Sequence, residues 1–318
     1  MSSVTLPQRS DNDEPQPHLV IPADSTGIWR LAYLPDGRRV VTGSDDGIVK
    51  VWNLENGRQE GTSMEHESYI CDLAVTRDGT NIISSYHGGV IKVLGVESHE
   101  IAKEWNHPEN YPRVSISPDD RLVAIGEQAV AIYTVEGIQV NDSIEVGGAV
   151  LSMCFSPDGE KLACGTDDDI YVYDVHDGTR ILGPLKGGWV FDVLWSRDGG
   201  RIFSGSKDET IRCWNSYTGE QIGHPWTGHT NYICSLSLSP DGWILASASR
   251  DKTVRFWNAN TGSPIRQHLQ HDEQVDAVRF SPSGEFVASA GWDGKIYLWR
   301  IPWLNSITHQ VILRSDLF

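Results

Sequence analysis

The chain reads as an all-β protein, a single seven-bladed β-propeller of four-stranded antiparallel blades, and three observations predict it. A turn of the type Pro-Asp-Gly recurs seven times at a nearly constant interval. Each interval holds runs with the alternation of half-buried strands. No segment of that length carries a 3.6-residue apolar period, so helices contribute little.

The turns centre on Asp36, Asp78, Asp119, Asp158, Asp198, Asp241 and Ser283, with successive spacings of 42, 41, 39, 40, 43 and 42. Before each turn lies an alternating run such as YICSLSLS or QVDAVRFS, the first strand of a repeat. A second run follows the turn, as in RVVTGS and EFVASA, and ends in a short polar turn such as RDK at 250–252 or WDG at 292–294. The third run is β-branched and aromatic (IVKVWNL, TIRCWNS, KIYLWRI). Turns bearing Gly57, Gly178, Gly219 and Gly262 then lead to a fourth, less regular strand, glycine supplying the positive φ that tight turns need. Four strands in about 40 residues is the pattern of a propeller blade.

Composition narrows the function. Of 318 residues, 26 are Lys or Arg and 43 are Asp or Glu, a net charge of −17 that repels phosphate backbones, so direct nucleic-acid binding is not expected. The N-terminal 17 residues are polar and lack the apolar core of a secretion signal. No apolar run is long enough to span a bilayer, so membrane insertion is not expected. Cys71, Cys154, Cys164, Cys213 and Cys234 are odd in number with no C-x-x-C pair, which suits reduced strand residues of a cytoplasmic or nuclear protein. The sequon at Asn141 reads as chance in that setting. The expected organisation is a disordered segment 1–17, a propeller over 18–300, and a tail 301–318 that adds a strand or docks on the rim.

His229, Ser247 and Asp251 are the residue types of a hydrolytic triad. Relative to the turn residue they sit at −12, +6 and +10, with Trp257 at +16. The next repeat places His271, Ser289, Asp293 and Trp299 at the same offsets. Two adjacent copies argue for a structural device rather than one active site. Phosphate-loop, dinucleotide, zinc-protease and nucleophile-elbow motifs are absent, and the run Asp167-Asp168-Asp169 lacks the spacing of a calcium loop. Asp168 stands at the +10 offset, which favours a turn role. No catalysis, cofactor or metal is expected.

From Gly228-His229, the SPDG turns and the closing Trp52, Trp214, Trp257 and Trp299, residues 18 to 300 resemble the WD-repeat propeller family. The family's Asp after that Trp is here Asn53, Asn215, Asn258 or Arg300. The resemblance implies that Asp holds His, His holds Ser, and Ser holds the Trp N–H, a chain pinning the loop before the first strand to the inner strands. His229, Ser247, Asp251 and Trp257 form one such tetrad, and His271, Ser289, Asp293 and Trp299 the other. The first repeat has Asp24 in the His place and the fifth has Lys186, while the second keeps His66 and Ser84 but has Gly88 and Leu94. The third and fourth end their third strand in Tyr133 and Tyr173, so blades two to four are expected to be the least rigid. Residues 18–24, with a strand at about 18–22, are expected to pair with the last blade and close the ring, the C-terminal tail being the competing candidate.

In the family, partners often dock on the face carrying the loop before the first strand and the turn between the second and third, here called the top face. Two offsets map there and single out Tyr69, His87, Trp189, Lys207, Tyr232, Arg250, Gln274 and Trp292 as partner-binding residues. Asp45, Glu127 and Asp167 fall in early blades and Lys207 and Arg250 in later ones, so one half is acidic and the other basic and aromatic. The favoured function is a non-catalytic scaffold, a monomeric propeller within a larger complex, binding a protein or peptide with an acidic or phosphorylated motif. A substrate receptor of a ubiquitin ligase and a freestanding relative of the sensor propeller of an immune-type receptor are alternatives.

Overall fold

The computed structural model describes residues 15–301, apart from the side chain of Arg266. The expected disordered segment and C-terminal tail therefore lie outside the described residues, except for 15–17 and Ile301.

Seven antiparallel sheets follow one another in chain order, and the described residues contain no helix. Blade 1 is built from Ile28–Tyr33, Arg39–Ser44, Val49–Asn53 and Arg58–Met64, paired in that order, and the later blades repeat the meander. Blade 5 has three regular strands, and its outer edge is completed by the bridges Ile211 to Trp226 and Trp214 to Gln221. Blade 7 takes its fourth strand from the other end of the chain. Leu19–Pro22 pairs antiparallel with Lys295–Arg300, Leu19 facing Leu298 and Pro22 facing Lys295. That pairing joins the first and last repeats and covers the open edge of blade 7.

The core is a ring of seven apolar clusters, each between consecutive blades. Phe256 of blade 6 packs with Val278 and Val287 of blade 7, and Ile170 and Val172 of blade 4 pack with Val190 and Trp195 of blade 5. The closing cluster unites Ile21, Ile28 and Val40 with Ala288, Ala290 and Ile296. Each blade is thus a two-sided layer, and burial comes from stacking neighbours rather than from any blade alone.

Two local devices recur. In the Pro-Asp-Gly turns a Ser or Thr hydroxyl donates to the turn carboxylate, as from Ser239 to Asp241 at 2.5 Å and from Thr76 to Asp78 at 2.7 Å. The following Gly has positive φ, 73° at Gly79 and 79° at Gly242, a region costly for residues with a Cβ. In six of the seven first strands one residue is bulged out of register: Trp29, Cys71, Leu151, Phe191, Cys234 and Asp276. Blade 3 pairs Arg113 to Gly126 without a bulge. The channel is lined by these inner strands, including Arg30, Asp72, Asp192, Asp276 and Arg279, around a cavity of about 90 Å³.

Candidate interaction face

In blade 6 the side chains make one continuous hydrogen-bonded chain. Trp257 Nε1 donates to Ser247 Oγ at 2.8 Å, Ser247 Oγ meets His229 Nε2 at 2.7 Å, and His229 Nδ1 meets Asp251 Oδ2 at 2.7 Å. Ser247 and Trp257 are buried, so the links are not exchangeable with water. Burial alone would raise the Asp251 carboxyl, but bonds from His229, Thr253 and the Thr230 N–H hold it well below the usual carboxylate range.

Blade 7 completes only part of that chain. Trp299 Nε1 donates to Ser289 Oγ at 2.8 Å, and Ser289 Oγ lies 3.1 Å from His271 Nε2. Asp293, placed with His271 by the repeat pattern, instead accepts from the Tyr297 hydroxyl at 2.6 Å. The reason is the residue at +14: Tyr297 stands where blade 6 has Arg255, and its phenol reaches the carboxylate first. Burial, against the pull of the nearby Asp293 and Asp272 carboxylates, drives the His271 imidazole down to about 4.

The same +14 position carries the substitutes elsewhere. In blade 1 Lys50 Nζ pairs with Asp24 Oδ2 at 2.8 Å, so an ion pair replaces the missing His, while Trp52 still donates to Thr42 at 2.9 Å. In blade 5 Arg212 binds Asp208 at 2.7 Å, and Trp214 donates to Ser204 at 3.0 Å. Lys186 turns away from that blade and binds Asp169 of blade 4 at 2.7 Å. Asp169 is the buried member of the Asp167-Asp168-Asp169 run, and Asp168, at the +10 offset, is exposed. In blade 2, His66 packs 4.4 Å from Tyr86, and Ser84 donates to the Tyr86 hydroxyl at 3.2 Å.

On the top face, the two residues picked out in each blade are neighbours through the backbone. The N–H of Lys207 donates to Trp189 O, that of Arg250 to Tyr232 O, that of Trp292 to Gln274 O, and that of His87 to Tyr69 O, at 2.8–3.0 Å. Each bond ties the loop before a first strand to the turn between strands two and three, so the paired side chains emerge side by side. Across blades 5 to 7 they form an alternating ladder. Lys207 Nζ sits 4.0 Å from the Trp189 ring centre and 5.6 Å from that of Tyr232. The Arg250 guanidinium lies 5.8 Å from Tyr232 and 5.9 Å from Trp292. Trp189 is 46% exposed and Trp292 51%, large values for indoles and a mark of interaction surfaces. Gln274 is half-buried beside Trp292 and contributes its carbonyl to this arrangement.

Beneath the ladder, Asp276 occupies the bulge of blade 7 and lies 3.6 Å from Arg250 Nε. That separation is outside hydrogen-bonding distance, and Arg250 Nε is buried without a hydrogen-bond partner among the described residues. Burial raises the Asp276 carboxyl, against Arg250 and Arg30. Arg250 is therefore oriented by a carboxylate yet not saturated by it.

Tyr69 and His87 do not join the ladder. They stack at 4.8 Å with each other, and the edge of Tyr111 meets His87 at 4.8 Å, on the side of blades 2 and 3. Tyr111 and Asp276 are the residues that sequence reasoning passed over. Tyr111 lies one position beyond the offset that works elsewhere, because blade 3 lacks the bulge, and Pro112 before Arg113 is the signal that could have warned of the shift. Asp276 could have been found as the only acid at the bulge position of the seven repeats.

A closed ring of repeats with a half-exposed aromatic and cationic face defines a protein-interaction module. The chain belongs to the WD-repeat family: the description "WD domain, G-beta repeat" matches residues 15–53, 144–174, 179–215, 219–258 and 262–300. Propellers of this family are generally non-catalytic scaffolds. The chain is similar to telomerase protein component 1 of Rattus norvegicus, 23% identical over 90% of this chain and 11% of that protein. It is also similar to the transcription factor unc-37 of Caenorhabditis elegans (26% identical, 80% of this chain, 44% of that protein). Protein groucho of Drosophila melanogaster is 26% identical over 82% of this chain and 37% of its own length. The chain thus spans less than half the length of these relatives.

Proposed function

We propose that the protein is a non-catalytic scaffold whose top face binds an acidic or phosphorylated segment of a protein partner, along the ladder Trp189, Lys207, Tyr232, Arg250 and Trp292. The observation that carries this reading is the occupation of the ring faces. Lys207 and Arg250 already stand over the aromatic rings, so a cationic ligand would meet like charge, whereas a carboxylate or phosphate would meet two cations framed by apolar surface. The incompletely satisfied Arg250 supports the same choice. The propeller acts as a monomer within a larger complex, in the cytoplasm or nucleus. Its five free cysteines suit such a reducing setting.

The test is titration of wild type with matched synthetic peptides bearing phosphoserine, glutamate or serine at one position, by calorimetry. Binding is expected in the order phosphoserine, glutamate, serine, and Arg250→Ala should weaken the first two by about tenfold or more, as loss of a charged hydrogen-bonding partner does. Equal affinities for all three peptides, or an Arg250→Ala variant that binds like wild type, would overturn the reading.

A further inference from the structure

We propose that the Tyr69, His87 and Tyr111 cluster is a second contact site on the top face, taking a cationic side chain of the same partner whose acidic group the Arg250 side holds. The inference rests on the function proposed above and adds the other half of the ligand.

The two halves differ in what their aromatic rings already hold. Trp189, Tyr232 and Trp292 have Lys207 or Arg250 over their faces. Among the described residues, no Lys or Arg stands over Tyr69, His87 or Tyr111, and Tyr111 is 44% exposed. Carboxylates surround this cluster. Glu127 Oε2 accepts the Tyr111 N–H at 3.0 Å, and Glu109 bonds the adjoining turn at Gln128 and Ala129. Asp45 is exposed at the neighbouring corner of blade 1, and its charge, after burial and Tyr111, helps push the Tyr69 phenol up. Arg113, next in the chain but one to Tyr111, spends its Nη1 on a hydrogen bond to Cys71 O at 2.8 Å. The exposed Tyr111 ring beside the Glu127, Glu109 and Asp45 carboxylates attracts a Lys or Arg side chain by both quadrupole and charge.

Position in the ring supplies the rest of the argument. The cluster belongs to blades 2 and 3 and the ladder to blades 5 to 7, so the two lie on different sides of the channel mouth. A partner segment crossing the mouth would meet cations on one side and carboxylates on the other. Its complement is a bipolar strand, acidic at one end and basic at the other. Engaging both ends in one chain makes the second contact intramolecular, so a weak cationic site contributes well beyond its affinity alone.

The experiment uses three sets of synthetic peptides. One set carries two glutamates, one carries two lysines, and one carries both pairs separated by Gly-Ser spacers of increasing length. At the best spacer the bipolar peptide should bind wild type about tenfold tighter than the acidic peptide. Tyr111→Ala and the exposed charge reversal Asp45→Lys should abolish that gain and leave the acidic peptide's affinity unchanged. Tyr111→Phe, which keeps the ring, should preserve it. A bipolar peptide no tighter at any spacing, or a gain that survives Tyr111→Ala and Asp45→Lys, overturns the second site. If the acidic peptide itself fails to bind wild type, the proposed function falls as well.

Discussion

Replacing Ser247 by Ala removes one oxygen from a place with no access to water. Ser247 Oγ serves two buried partners, the indole N–H of Trp257 at 2.8 Å and Nε2 of His229 at 2.7 Å. The exchange is nearly isosteric, so no cavity term enters. Each buried polar group left without a partner costs about 1–3 kcal/mol, which puts Ser247→Ala at about 2–6 kcal/mol. Ser204 in blade 5 provides the internal comparison. It is equally buried, but among the described residues its hydroxyl serves only Trp214, at 3.0 Å, because Lys186 is directed to blade 4. Ser204→Ala is therefore expected to cost only about 1–3 kcal/mol. Guanidinium unfolding followed by tryptophan fluorescence measures both, with the slope checked for constancy so that the midpoints can be compared. Equal losses in the two variants would refute the claim that the blade 6 oxygen joins two partners rather than one.

The remaining predictions concern other parts of the ring. His271, held down to about 4 against about 6.5 in an unfolded chain, is neutral in the fold, so its contribution is fully present above pH 6.5 and lost as pH falls towards 4. The full loss is about 3 kcal/mol, and His271→Gln should flatten the stability profile over that window; an unchanged profile would count against the assignment. Ile21→Ala, in the strand that completes blade 7 and in the cluster joining blades 7 and 1, should cost about 2–4 kcal/mol in thermal or chemical unfolding. A neutral outcome would mean that the closing strand contributes little to the fold. Amide exchange should be faster in blades 2 to 4, where the Asp–His–Ser–Trp chain is missing, than in blade 6; uniform protection around the ring would contradict this.

By itself, the sequence determined the number of blades, the four-strand meander and the sets of residues that share an offset, because each depends on contacts within about 40 residues and is written seven times over. The pairing of Trp257 with Ser247 and of Lys207 with Trp189 falls in this class: a fixed register across adjacent strands and turns brings them together. For the segment that joins the last blade the sequence favoured residues 18–24 over the tail, but the pairing itself is a matter of tertiary structure, since Leu19 and Leu298 meet only when the whole ring has closed. So was the switch of Asp293 from His271 to Tyr297, in which two partners compete for one carboxylate and small differences in reach select the winner. Tyr111 entered its cluster because blade 3 lacks a bulge, and Lys186 left its own blade for Asp169 of the one before. Periodicity specifies what each repeat offers to its neighbours; the choice among those offers is made by side-chain packing in three dimensions, where a shift of one residue in one strand redirects a whole face.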